Sequence, residues 1–341
     1  MKFNKLTNCY MIAEIGVNHG GSVELAIKMV DAAKDAGADA VKFQTFKAST
    51  LVSQGTPKVN YQISTTDKDE SHYQMIKSLE FKYEDHKPVF NYCKSKDIDF
   101  ISTPYDLESA IFLDNLGVDI FKTASADIVD IPLHKFLASL NKKVIVSTGM
   151  ATLGEIENVV SIYREFNITN LAILHCVANY PCAYESLNLN VIKTLRESFK
   201  IPVGYSDHAV GCYPAIASIA LGAKIIEKHF TLDKKMNGPD HKASNNPKEF
   251  AALVEAVRIA EKSMGGSIKQ VQNEELQMRN VARKSLFFAN NINKGDIISQ
   301  QDIILKRPGS GIYSTMMDSI IGKKATKNLF IDDIIKYGDF E

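Results

Sequence analysis

One recurrence narrows the possible folds more than any other feature. Short apolar runs close in polar clusters and are followed by helix-like segments, eight times over roughly the first 250 residues. The runs are Tyr10–Ile15, Asp39–Phe43, Asp99–Ile101, Asp119–Phe121, Val144–Val146, Leu171–Leu174, one from Val203 ending at His208, and one ending at His229. After the first, Ser22 can cap a helix in which Leu25, Met29, Ala32, Ala33 and Ala36 recur at helical spacing, and Gly37 can end it. Further helices are expected over Leu107–Leu116, Leu133–Leu140, Leu153–Phe166, Leu189–Phe199, Cys212–Gly222 and Lys248–Met264. Eight such units point to a TIM (β/α)8 barrel, whose active site lies at the C-terminal ends of the strands. A doubly wound sheet is the competing topology, but it does not explain why every strand end carries reactive groups.

The texture changes after the last of these helices. Residues 266–282 read as a linker, glycine-led and then rich in Gln and Asn. From Arg283 to the end at 341, short β-rich pieces with a turn at Asn293-Lys294-Gly295-Asp296 suggest a small second domain. The expected division is therefore 1–265 barrel, 266–282 linker and 283–341 small domain. The formal net charge of zero argues against nucleic acid as a partner. No apolar run is long enough to span a bilayer, and the polar N-terminus lacks a signal-peptide pattern, so a cytoplasmic location is expected. The five cysteines show no CxxC spacing and read as reduced, mostly buried thiols. A long polar excursion, roughly Phe46 to Ser71, interrupts the barrel as lids and substrate loops do.

Gathered at one mouth, the strand ends bring Glu14, Lys42, Gln44, Thr103, Lys122, Ser125, Ser147, Ser206, His208, Glu227 and His229 together. His208 and His229 end neighbouring strands, roughly 5–8 Å apart, close enough to share one divalent metal. Two lysines among serines and a threonine make an anion site. Glu14 is a candidate general base or electrostatic stabiliser. Plainer readings accompany each. A histidine can simply be hydrogen-bonded, a lysine can pair with a carboxylate, and a serine can cap a helix. His86 and His134 fall in helical segments and read as structural, and His175 as a core group. An anionic substrate beside a metal-polarised carbonyl suggests carbon–carbon bond formation or hydrolysis. No G-x-G-x-x-G or Walker A pattern is present.

The strand ends also carry a resemblance. I-A-E-I-G-V-N-H-G-G-S (12–22), V-K-F-Q-T-F-K-A (41–48), F-I-S-T-P-Y-D (100–106), V-S-T-G-M-A-T (146–152), L-H-C-V-A-N-Y-P (174–181), G-Y-S-D-H (204–208), I-E-K-H-F-T-L-D (226–233), G-P-D-H-K-A-S (238–244) and K-R-P-G-S-G-I (306–312) run in order along the chain. It resembles the sialic acid synthase family, the bacterial nonulosonic acid synthases, and its small domain resembles their antifreeze-like (SAF) domain. The resemblance implies condensation of phosphoenolpyruvate with an open-chain N-acylated mannose-type sugar, releasing phosphate. N-acetylmannosamine and 2,4-diacetamido-2,4,6-trideoxymannose are the candidate sugars. It implies Mn²⁺ or Mg²⁺ on His208 and His229. Phosphate would fall to Lys42, Ser125, Ser147 and Ser206, and the carboxylate to Lys122 and Thr103. Glu14 would stabilise a cationic intermediate, and Gln44, Tyr180 and Asp240 would contact the sugar. Arg307 would reach the sugar's N-acyl group in a partner's barrel, which implies a domain-swapped homodimer. Lys58-Val59-Asn60-Tyr61-Gln62 looks more like the sialic and legionaminic branches than the pseudaminic one.

Departures from the pattern bear on specificity. Ser125-Ala126-Asp127 replaces the usual Ser-Gly-Glu, leaving Asp127 to orient a water beside the metal, and Ala178 stands where a hydrogen-bonding side chain is frequent. Glu227 is open between supporting the metal ligands and a barrel salt bridge. The alternatives are a synthase of a shorter ulosonate phosphate, or a catalytically weakened sugar-binding homologue.

Overall fold

The period of two along each strand sorts side chains between two cores. In the computed structural model, which describes residues 2–59, 62–63, 66–67 and 69–341, eight parallel strands close into a barrel in sequence order. They are β1 (Tyr10–Gly16), β2 (Ala40–Thr45), β3 (Asp99–Pro104), β4 (Ile120–Thr123), β5 (Lys143–Ser147), β6 (Leu171–Cys176), β7 (Val203–Asp207) and β8 (Ile225–His229). Met11, Ala13 and Ile15 face the surrounding helices with Val41, Phe43 and Tyr205. Ile12, Ala40, Ile101, Ile120, Ile145, Leu174 and Ile225 fill the lower interior, above a plug that includes Phe3. Gly204 is required there, because a Cβ would stand 2.4 Å from Ile225 O and 2.5 Å from a Leu174 methyl.

Above that apolar filling the same inward positions become polar. The register places Glu14 beside both Lys42 and His229, Gln44 beside Thr103, and Ser206 beside both Cys176 and Glu227. Helix ends are set locally. Ser22, Asp106 and Asp130 side chains accept from the backbone N–H three residues on, and Thr152 with Glu155 forms a capping box. The helix after β7 is shorter than its apolar composition suggests, Tyr213–Ala220, and starts with Pro214 in its first turn. In the excursion between β2 and β3, helices Ala48–Leu51 and His72–Leu79 form. Asn60 and Tyr61 of the branch-distinguishing stretch lie outside the described residues. No described helix is long and apolar enough to cross a membrane.

The chain divides into two compact units, the first ending at Gly265 and the second spanning Gly266–Glu341. The second pairs β9 (Ser285–Phe288) antiparallel with β10 (Ile303–Lys306) over a core including Leu286, Phe288, Ile298, Ile320 and Ile335. Residues 266–282, read from sequence as a linker, contain a 3-10 turn, Asn273–Glu275, and a helix, Leu276–Ala282. Arg307 lies in this unit, exposed, just after β10.

Candidate active site

The polar layer of the barrel interior is ionic. Lys42 Nζ lies 2.7 Å from Glu14 Oε2 and 3.8 Å from Glu227 Oε2, and Lys122 Nζ lies 3.2 Å from Glu227 Oε1. All four side chains are at most 8% exposed. The lysines expected at an anion site are thus already paired, and Glu227 is a barrel salt bridge braced by the Ser206 hydroxyl, which donates to its Oε1 at 2.9 Å. Burial would raise the Glu227 carboxyl, but Lys122, Lys42 and Ser206 outweigh it and hold the group at about 2. Glu14 goes the other way. Burial raises it, and Lys42 does not fully offset this because the charge on Glu227 adds to it. Two adjacent carboxylates therefore differ in proton affinity, as acid–base sites require. Gln44 Nε2 donates to Glu14 Oε1 at 3.0 Å, and Lys42 donates to Thr103 Oγ1 at 3.3 Å.

His208 and His229 do come together, with ring centroids 5.6 Å apart. His208 Nδ1 lies 2.8 Å from the Val177 carbonyl, which can only accept, so Nδ1 carries the proton and Nε2 keeps its lone pair. Burial lowers His208 to about 4, and burial with the neighbouring His208 takes His229 well below its usual value, so both rings are neutral. His229 Nδ1 is buried with no hydrogen-bond partner among the described residues, and Asp240 Oδ2 lies 3.8 Å away. Burial, with Glu14 nearby, holds the Asp240 carboxyl up at about 7. Neutral imidazoles with a free nitrogen fit a divalent metal. Among the described residues no group of three or more His, Cys, Asp or Glu side chains is placed to hold one. The pair is therefore an open arrangement and not a closed structural cage. Tyr180 packs its ring against both, at 4.2 and 5.5 Å.

Across from the histidines lies a row of hydroxyls. Ser125 Oγ accepts from Gly149 N–H at 3.0 Å and lies 3.1 Å from Cys176 Sγ, which is 3.6 Å from Ser147 Oγ. Cys176 went unassigned from sequence. It sits two residues after Leu174 on β6, so strand alternation alone turns it into the barrel. A cavity of about 330 Å³ opens over this layer, lined by Glu14, Lys42, Gln44, Thr103, Lys122, Ser125, Ser147, Tyr180, His208, Glu227, His229 and Asp240. Ser206 lies in the floor beneath.

Two placements differ from expectation or add to it. Asp127 does not line the cavity. It belongs to a 3-10 turn, Ser125–Val129, and its backbone carbonyl lies 3.1 Å from His134 Nε2. His134 also meets the Tyr163 hydroxyl, His86 spans Lys82 O and Thr45, and His175 meets Leu187 O, all structural contacts. Residues that sequence reasoning passed over, among them Phe46, Leu51, Met75, Ile76 and Leu79, form one wall of the cavity.

Known proteins match this arrangement along its length. The NeuB family model matches residues 29–269, and the SAF domain model matches 283–341. The chain belongs to the NeuB family. Among family relatives, the N,N'-diacetyllegionaminic acid synthase of Campylobacter jejuni is 45% identical over 96% of this chain and 98% of its own. That of Legionella pneumophila is 41% identical over 94% and 91%. The crystal structure of N-acetylneuraminic acid (sialic acid) synthetase from Leptospira borgpetersenii, in complex with citrate, superposes with a TM-score of 0.72 at 34% identity, covering 80% of this chain and 90% of that one.

Proposed function

We propose that the chain is a nonulosonic acid synthase that condenses phosphoenolpyruvate with an open-chain N-acylated mannose-type sugar and releases phosphate. The observation that carries this is the ionic floor, in which two buried lysines face a row of hydroxyls and a neutral histidine pair within one cavity. Phosphoenolpyruvate brings a phosphate and a carboxylate. Lys42, Ser125 and Ser147 take the phosphate, with Ser206 the hydroxyl nearest the floor, and Lys122 and Thr103 take the carboxylate. As the enol carbon bonds to the aldehyde, the neighbouring carbon becomes cationic, and the Glu14 carboxylate stabilises that charge in a low-dielectric site. Water adds to the cation, and the tetrahedral carbon then loses phosphate. Gln44, Tyr180 and Asp240 orient the sugar. His208 and His229 hold a divalent metal, Mn²⁺ or Mg²⁺, which when bound supplies a Lewis acid for the aldehyde.

Two further parts of this reading extend beyond one chain. A domain-swapped homodimer brings Arg307 of the partner subunit to the sugar's N-acyl group, so Arg307→Ala raises the KM for sugar more than that for phosphoenolpyruvate. The reaction is placed in the cytoplasm, a reducing compartment compatible with five free cysteines. The test is incubation of purified protein with phosphoenolpyruvate, Mn²⁺ and each candidate sugar separately, following phosphate. Absence of release with every N-acylated mannose derivative overturns the proposal.

A further inference from the structure

The last paired position of β7 and β8 sets Asp207 opposite Lys228, each one residue before a histidine of the pair. Strand alternation turns both charged side chains to the helix side of the barrel, with Tyr205 and Ile226, while His208 and His229 turn inward. There Lys228 Nζ lies 2.8 Å from Asp207 Oδ2, and both side chains are at most 1% exposed. The pair also holds backbone. β7 ends at Asp207, so the buried peptides that follow need partners outside the ladder. Asp207 Oδ1 accepts from Ala209 N–H at 2.9 Å, and Lys228 Nζ donates to the Ala209 carbonyl. On the other side of the same peptide, the His208 carbonyl accepts from Cys182 N–H at 2.9 Å. The peptide joining His208 to Ala209 is therefore held at its N–H by the ion pair and at its C=O by the loop after β6.

That grip decides where the imidazole can go. Once the peptide plane is fixed, so is the direction of the His208 side chain, and the contact of Nδ1 with the Val177 carbonyl at 2.8 Å then sets the turn of the ring. Nε2 lies 3.4 Å from Ser206 Oγ, but that hydroxyl gives its proton to Glu227, so the Nε2 lone pair stays unused. His229 is tied by other means. Its carbonyl accepts from Asn245 N–H at 2.7 Å, and the next residue, Phe230, donates its N–H to the Glu14 carbonyl. Lys228, on the strand of one histidine, thus grips the backbone that carries the other. An apolar pair of similar volume would stabilise the fold as well as this buried ion pair, but it could not make directed bonds to one peptide. The directed bonds are what the two charges add.

Resting on the proposed metal site, we infer that Lys228 and Asp207 are positioning residues that set the spacing and orientation of the His208–His229 pair from outside the cavity. Removing groups that orient metal-binding histidines typically costs 10- to 100-fold in metal affinity, and the lower figure, about 10-fold, is expected here because the pair acts through backbone. The experiment measures Mn²⁺ binding to the full-length protein from the electron paramagnetic resonance signal of free Mn²⁺, without phosphoenolpyruvate or sugar. Lys228→Met combined with Asp207→Leu removes both charges at similar volume, and its urea midpoint reports whether it is folded. The expected result is a folded variant whose Mn²⁺ affinity is about 10-fold weaker. In phosphate release, the Mn²⁺ concentration for half-maximal rate rises to match, while the KM for phosphoenolpyruvate holds. Tyr205→Phe is the milder companion. It removes the hydroxyl bonded at 3.1 Å to Asp207 Oδ1, keeps the ring and both charges, and weakens Mn²⁺ binding in the same direction by less. Unchanged Mn²⁺ affinity in the folded double variant overturns the inference while leaving the metal site intact. If the double variant does not fold, unchanged affinity in Tyr205→Phe overturns it. No Mn²⁺ binding by the wild type overturns the metal reading and this inference with it.

Discussion

Two sets of buried lysine–carboxylate pairs meet at β7 and β8, one facing out of the barrel and one facing in. They differ in how completely their atoms are used. Outside, Lys228 Nζ lies 2.8 Å from Asp207 Oδ2 and donates also to the Ala209 carbonyl. Asp207 Oδ1 accepts from Tyr205 Oη at 3.1 Å and from Ala209 N–H at 2.9 Å. That network is closed, with every charge answered inside the protein. Inside, two lysines serve two carboxylates unevenly: Glu227 Oε2 accepts no hydrogen bond among the described residues, and Lys42 stands off it at 3.8 Å. The floor also opens to the cavity. A buried ion pair seldom stabilises more than an apolar replacement, so the outer pair acts by holding the backbone that carries His208 and His229. The inner set keeps unspent charge for a substrate.

The contrast breaks first at Glu14. Glu14→Gln keeps the shape but removes the charge that meets the cation, and its single amide oxygen can serve only one of Gln44 and Lys42. Turnover falls by about 10²- to 10³-fold, and the urea midpoint also falls because Lys42 loses its nearest partner. Steady-state kinetics on the folded variant decide it, and near-wild-type turnover would return Glu14 to the role of a mere structural partner. The outer pair shows first in stability. Lys228→Met strands the Asp207 carboxylate, and unfolding free energy drops by about 3–5 kcal/mol. Lys228→Met combined with Asp207→Leu, which removes both charges, recovers much of that loss, as a closed network predicts and an independent pair of contacts does not.

Much of this layout was legible in the residues, for a physical reason. Strand alternation is rigid, so once β1 is recognised, Ile12 and Glu14 must face the same way, and the same holds for Ile225, Glu227 and His229. Where the backbone leaves the strand, that rule ends. β4 stops at Thr123 and the chain enters a 3-10 turn, whose period of three carries Asp127 away from the side on which Ser125 faces the cavity. Cys176 obeys the strand rule, but a thiol prompts questions of redox state before questions of position. The wall formed by Phe46, Leu51, Met75, Ile76 and Leu79 was out of reach. A helix at 72–79 is visible as a pattern, but the direction of its apolar face depends on tertiary contacts such as Glu80 with Ala48. The role of Glu227 depends on Lys122 at 3.2 Å, a contact from a strand distant in sequence that no local pattern shows.

A smaller test concerns the hydroxyl row. Gly149 has ordinary backbone angles, yet a Cβ there would stand 2.8 Å from both Cys176 Sγ and Ser125 Oγ. Gly149→Ala therefore pushes Ser125 out of its bond to the 149 N–H. Overpacking of this kind costs about 1–3 kcal/mol. Because the displaced group belongs to the anion site, the KM for phosphoenolpyruvate rises while the KM for sugar holds. A rise in both alike would place Gly149 in general packing and not in the inner set.

A last test concerns Asp127, a half-buried carboxylate with no salt-bridge partner among the described residues. Its Oδ2 accepts no hydrogen bond among the described residues, and burial, with the charge of Asp130, raises the group to about 7, whereas lysines hold the more deeply buried Glu227 at about 2. An unfolded aspartate titrates near 4. Between about pH 4 and 7 the folded chain keeps a proton that the unfolded chain has released. The stability this lends is complete below pH 4 and is lost as pH rises through 7. Asp127→Asn removes the ionisation, so the variant gains on the wild type with rising pH, more at pH 8 than at pH 5. Urea midpoints at the two pH values measure the gain, and a difference that does not change with pH would mean that Asp127 is already ionised and served by a partner. Glu227, which Lys122 and Lys42 hold low, has the opposite sign, its contribution being lost as pH falls, so the sign of the pH effect separates a carboxylate answered by lysines from one the fold only tolerates.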